Sequence, residues 1–88
     1  MRAVIYETTG EIRDINLLSF EHLQELVGGY VQVIEINGTP HAVHEEGRLL
    51  GLQASPHRIF RDTFLYGTLV GPVVRLPLDW EHLPYNTN

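Results

Sequence analysis

The sequence predicts a small α+β domain, an antiparallel sheet of four or five strands carrying two short helices. Three observations lead there. The run from Leu26 to Gly38 reads, in order, as a helix end, a glycine stop, a strand and a tight turn. The pair Ser55-Pro56 has the composition of a second helix start, serine at the cap and proline at the first helical position. The chain has 88 residues, 43% of them hydrophobic, enough for one small core and too few for two. The expected organisation is one α+β domain over residues 1–76 and a tail, 77–88, that docks on it or binds a partner.

Each element follows from its residues. Arg2 to Glu7 is rich in β-formers and reads as a first strand. Thr8-Thr9-Gly10 is a turn signal, and Glu11 to Ile15 can return as a short partner strand. Ser19 is a candidate N-cap, with Glu21 where a negative charge suits the helix dipole. Leu23, Leu26 and Val27 follow at helical spacing, and Gly28 supplies the stop. Gly28-Gly29 lets the chain reverse into a strand over Tyr30 to Ile36.

Asn37-Gly38 is the preferred pair for a type I′ turn, where both central residues need positive φ. A two-residue loop fixes the register: Ile36 faces Thr39, Ile34 faces His41, Gln32 faces Val43 and Val31 faces His44. Neither face of this hairpin is purely polar, so the sheet is expected to be covered on both sides. Pro40 lacks an N–H, which predicts a sheet edge there. Glu45-Glu46-Gly47 reads as a second turn and Arg48 to Leu52 as a short strand or extended segment. The helix begun at Ser55 is expected to reach Asp62 or Thr63, with Ile59 and Phe60 turned inward. Thr68 to Leu76 reads as a last strand, with Gly71-Pro72 marking a bulge or a second edge. Asn86 to Asn88 are expected to be disordered.

Composition excludes several functions. Eleven acidic residues against six arginines and no lysine give a net charge of −5, which disfavours direct binding of nucleic acid, whose phosphates demand a basic surface. No apolar run approaches a membrane span, and Met1 to Tyr6 does not resemble a secretion signal. The absence of cysteine removes disulfides and thiolate metal sites and fits a reducing compartment. The expected setting is the cytoplasm of a bacterial host cell.

Candidate chemistry is sparse. His41 and His44 lie three apart on a strand, so they point to opposite faces and do not converge on one metal ion. Glu45 and Glu46 are adjacent on a turn, which suits acceptors for a partner's arginine better than a catalytic acid and base. Gly28 and Gly29 follow a helix C-terminus, where the dipole repels anions, so they and the Asn37-Gly38 pair read as structural turns. Ser55, His57, Arg58 and Arg61 group at the start of the second helix and could hold a small anionic ligand of nucleotide type; the alternative is an ordinary capped helix with solvated arginines. Trp80 and Tyr85 in the tail could anchor a partner or cover the sheet. No catalytic set, metal or cofactor is expected.

The run Leu23-Gln24-Glu25-Leu26-Val27-Gly28-Gly29-Tyr30-Val31-Gln32-Val33 resembles the L-Q-x-x-V-G-G-Y-x-x-V signature of DUF3846, a small domain of unknown function found largely in bacteriophages, plasmids and other mobile elements. His44-Glu45-Glu46-Gly47-Arg48-Leu49 is similar to a second block, N-E-E-G-K-L. Leu52 to Phe60 is similar to a third, and Leu69-Val70-Gly71-Pro72-Val73-Val74 to a closing I-V-G-x-V-V. His44, Gln53 and Ser55 depart from the usual asparagine, proline and asparagine. The resemblance implies a mobile-element setting and no activity. With the composition, it leads to the expectation of a non-enzymatic accessory protein that binds a host protein. A small-ligand-binding protein is the alternative, and an enzyme the least supported. Strand addition at a free edge makes a homodimer a further expectation.

Overall fold

The structure, a computed structural model, describes residues 1–86. Five antiparallel strands form one sheet: β1 (Arg2–Tyr6), β2 (Ile12–Asn16), β3 (Val31–Ile36), β4 (Thr39–His44) and β5 (Val73–Arg75), in the order β2-β1-β5-β4-β3. A single α-helix among the described residues, α1 (Phe20–Val27), lies on one face. The fold is α+β and mostly sheet.

The first half follows local signals. Ser19 Oγ accepts from the His22 N–H at 3.0 Å, and the His22 ring accepts from the Leu18 N–H, a reciprocal cap at the start of α1. Gly28 closes the helix in the left-handed conformation at φ 89°, its N–H donating to the Gln24 carbonyl. Asn37 and Gly38 take φ of 51° and 81°, and the β3–β4 register is the one a two-residue turn dictates, Val31 opposite His44 through Ile36 opposite Thr39.

Two cores result, one on each face. Ala3, Ile5, Ala42 and Val74 pack under Leu17, Leu23 and Val27. On the reverse face, Tyr6, Ile34, Val43 and Val73 pack under Phe60 and Leu69. The tail returns to the helix side. The carbonyls of Pro84 and Tyr85 accept from the Phe20 and Glu21 N–H groups, each at 2.8 Å, which satisfies donors that a helix start leaves open. Trp80 and Leu83 pack against the helix-side core, and Tyr85 stacks on Phe20.

Four expectations are corrected. The second α-helix is absent: residues 58–60 form one 3-10 turn, and a second 3-10 turn spans Trp80–His82. The segment cannot build a helical stripe because Ile59 and Phe60 are adjacent; Phe60 is buried and Ile59 is exposed. It is also held extended at its start, where Ala54 bridges Val70 and the Ser55 N–H donates to Leu69. Arg48 to Leu52 forms turns, not a strand. The last strand is only Val73–Arg75, with an isolated bridge at Val70 before Gly71 takes φ 75°.

The edges are also elsewhere. Pro40 lies inside β4 and Gly71-Pro72 leads into β5, both interior strands, because β5 inserts between β1 and β4, and the free edges are β2 and β3. Proline is tolerated inside the sheet because it sits where the β4–β5 ladder stops. The Leu76 N–H donates to the Pro40 carbonyl at 2.9 Å, and the reciprocal bond is the one proline cannot make. Of the tail's expected disorder, residues 87 and 88 lie outside the described residues, and Asn86 is held by an interaction.

Candidate functional site

The face opposite α1 carries a groove of about 670 Å³. Its floor is sheet and buried loop, Ile34, Val43 and Leu69. One wall is the turn after β4, Glu45 to Leu49; the other is Leu65 to Gly67. A smaller depression of about 360 Å³ lies at the other end of β3, beside Glu35 and Ile36, and shares Leu65 and Tyr66 with the groove.

Arg48 ties the two walls together. Its Nη2 donates to the Tyr66 carbonyl and, at 3.0 Å, to the Thr68 carbonyl. No carboxylate among the described residues lies within ion-pair distance of it, whereas Arg13 pairs with both Glu7 and Glu11. The first wall is set by His44, whose Nδ1 accepts from the Glu46 N–H at 3.0 Å. The same ring covers Gly29, where a Cβ would fall 2.5 Å from Nε2.

The second wall is a small hairpin. Thr63 and Gly67 exchange both backbone hydrogen bonds, at 2.9 and 3.0 Å, and Asp62 enters it at φ 49°. Phe64 stands at its tip with 99% of its surface exposed, beside Leu65 at 72%. Across the groove Leu49 is 83% exposed. Ordinary folding drives large apolar side chains out of water, so exposed apolar residues on both walls of the groove mark a candidate binding surface.

The residues singled out from sequence distribute unevenly. Glu45 and Glu46 line the groove. Arg61 and Asn37 line the smaller depression. Ser55 is buried, and its hydroxyl accepts from the His57 N–H at 3.3 Å. The His57 ring packs edge-on against Tyr6, its Nε2 at 2.8 Å from the Glu7 carbonyl. Arg58 is exposed at the 3-10 turn and lines neither concavity. The anion reading of this cluster rested on a helix N-terminus, which a 3-10 turn of three residues does not supply. Trp80 and Tyr85 lie on the opposite side of the sheet with α1. Gly28, Gly29 and Gly38 line neither concavity.

His41 faces the loop-side core beside Phe60, while His44 turns to Gly29. His41 Nδ1 is 2.8 Å from the Thr39 carbonyl, an acceptor, so Nδ1 is the donor. Burial pushes its pKa below the usual histidine value; the hydrogen bond to Thr39 opposes this, and the nearby Arg75 adds to it.

Sequence reasoning passed over Arg48, Leu49, Phe64 and Leu65. Their signal is apolar pairs, Leu49-Leu50 and Phe64-Leu65, set among turn residues with neither helical nor strand periodicity. Among the described residues no helix is long and apolar enough to cross a membrane. No curated protein and no solved structure matches the chain significantly. One family model does match, over residues 1–83, a span that takes in the whole sheet and both walls of the groove. The chain belongs to the family described as domain of unknown function DUF3846.

Proposed function

We propose that this chain is a non-enzymatic binding module, an accessory protein of a phage or other mobile element that engages a host protein in the bacterial cytoplasm. One observation carries the binding reading: Leu49 and Leu65 stand exposed on the two walls of an open groove, and the exposed Phe64 next to Leu65 lines the adjoining depression. Large apolar side chains beside a concavity, rimmed by Glu45, Glu46 and Arg48, have the make-up of a protein-docking patch. The mobile-element setting rests on the resemblance of the glycine-glycine-tyrosine block and its companions.

The test is native co-purification from host lysate with two baits, the unaltered chain and a Phe64→Ser/Leu65→Ser variant. A host protein held by the first bait and lost from the second supports the reading. Recovery of no protein, or equal recovery on both baits, overturns it.

A second reading has its own observation. Arg48 presents a cation in the groove wall that meets only carbonyl oxygens. A small anionic ligand, such as a nucleotide, would complete it. Ligand binding must raise stability, so a thermal shift with nucleotides that disappears in Arg48→Met supports this reading, and an unshifted melting curve removes it.

A further inference from the structure

The two free edges of the sheet are chemically unlike. Ladder hydrogen bonds on β2 use the odd residues: the Glu7 N–H donates to Glu11 and the Leu17 N–H to Met1. The backbone groups of Ile12, Asp14 and Asn16 therefore point outward. On β3 the ladder uses the even residues, continuing the Glu45 N–H to Tyr30 bond, and Val31, Val33 and Glu35 point outward.

A second copy can add to an edge only where outward residues meet outward residues. For β2, the register that overlaps the whole strand sets Asp14 against Asp14 of the second copy. Shifting it toward Ile12 sets Arg13 against Arg13 instead. Like charges directly opposite are destabilising. Shifting it toward Asn16 avoids like charges but sets Asp14 only against Asn16 and leaves Ile12 unpaired, so the charges of Arg13 and Asp14 oppose the fully overlapped register and one of its two neighbours.

For β3, the register centred on Val33 pairs all three outward residues. Val33 meets Val33 of the second copy, Val31 meets Glu35, and Gln32 meets Ile34. No like charges face each other, and β3 carries a single charge among six residues. The edge has neither proline nor lysine, and Val31, Val33, Ile34 and Ile36 suit a pleated ladder. The antiparallel match also sets the Gln32 end of one copy, beside the large groove, next to the Ile36 end of the other, beside the smaller depression.

We propose that the chain forms a symmetric homodimer by antiparallel pairing of β3 with β3 of a second copy, centred on Val33, to give a continuous ten-stranded sheet. This goes beyond the groove reading and does not depend on it, since Phe64 and Leu65 take no part in the pairing.

The chain has no cysteine, so a single introduced one reports the register cleanly. Opposed residues of a hydrogen-bonded pair lie about 5.5 Å apart at Cα, within disulfide range. Under mild oxidation Val33→Cys is expected to cross-link to a covalent dimer at least tenfold faster than Asp14→Cys on the other edge. Sedimentation equilibrium supplies the second measurement. Val31→Glu sets a carboxylate against Glu35 of the second copy at both ends of the pair, and Val31→Lys sets an ammonium there. Both lose the same valine packing, so their difference isolates the edge contact. The expected result is at least a tenfold weaker dimer for Val31→Glu than for Val31→Lys. A monomeric wild type at 0.1 mM or above, on the order expected for weak self-association, overturns the proposal and leaves the edge to a strand from another protein. Equal cross-linking at the two edges, or equal dissociation of the two variants, overturns it as well.

Discussion

On one face of the sheet a capped helix and the returning tail cover Ala42 and Val74; on the other, residues 45–72 cover Val43 and Val73 with no regular element longer than one 3-10 turn. Both faces bury large side chains almost fully, Leu23 under the helix and Phe60 under the loop. They differ in how their backbone is satisfied. The helix closes its inner hydrogen bonds itself, and Ser19 and the tail carbonyls of Pro84 and Tyr85 close those of its first turn. The loop must find partners one at a time, and where it folds away from the sheet it leaves the groove. Both concavities described above lie on the face whose cover is irregular, as is common where binding surfaces are carried on loops held by a rigid scaffold.

The sharpest way to break this comparison is to cut each core. Phe60 touches Tyr6 and His41 edge-on, with ring centroids 4.9 and 5.5 Å away. Phe60→Ala is expected to destabilise the fold by about 3–5 kcal/mol, and Leu23→Ala by about 2–5 kcal/mol. Denaturant unfolding of the two variants gives the comparison. A loss below about 1 kcal/mol for Phe60→Ala, with Leu23→Ala in its expected range, would show the loop to be a loose cover and not a second core.

A second substitution probes where the faces meet. The His44 ring lies against Gly29, so Gly29→Ala must push the ring off its place and strain the Glu46 hydrogen bond that shapes the groove wall. The expected cost is about 1–3 kcal/mol. In a His44→Ala background the same substitution is expected to cost less than about 0.5 kcal/mol, because the clashing atoms are gone. Equal costs in both backgrounds would show that Gly29 matters for its backbone alone.

Legibility follows the same division. The α1 caps, the β3–β4 turn and its register come from residues within a few positions of one another: Ser19 and His22, Gln24 and Gly28, Asn37 and Gly38. Such signals are contained in the sequence. The loop face depends on bonds between distant residues, Arg48 to Thr68, Ser55 to Leu69 and His57 to Glu7, which have no local signature. So does the insertion of β5 between β1 and β4, and with it the true edges. The segment from Ser55 carries a helix-start pair, yet a single buried Phe60 cannot supply a stripe, and tertiary bonds override the local preference. Glu45 and Glu46 are legible as turn residues and candidate contacts, though not as the wall of a groove; the role of Arg48 is not legible, because its partners lie at Tyr66 and Thr68.

The loop-side core also makes stability depend on pH. Burial, with Arg75 nearby adding to it, holds the pKa of folded His41 below the usual value of about 6.5. Between the lowered native pKa and that value, the unfolded chain binds a proton that the folded chain does not. Stability from this group is therefore complete above about pH 6.5 and falls as pH drops through that window, at up to about 1.4 kcal/mol per pH unit. Unfolding midpoints at pH 7.5 and 5.0 test it, and the difference between wild type and His41→Gln removes the contribution of the carboxylates. A wild type whose loss on acidification matches that of His41→Gln would place His41 outside the buried face.

The smallest expected effect separates binding from folding. Phe64 is almost wholly exposed, and its backbone is held by Thr63 and Gly67 on either side, not by its ring. Removing the ring takes nothing from either core, so Phe64→Ser is expected to change stability by less than about 0.5 kcal/mol. It also removes apolar surface from water, which favours solubility of the free chain. A thermal or denaturant transition unchanged from wild type, measured beside Phe60→Ala four residues earlier, would assign the two phenylalanines to different tasks: Phe60 holds the loop down, and Phe64 is held out by it. A loss above about 1 kcal/mol would mean that the hairpin tip packs onto the protein in solution, and the exposed rim on which the binding reading stands would be gone.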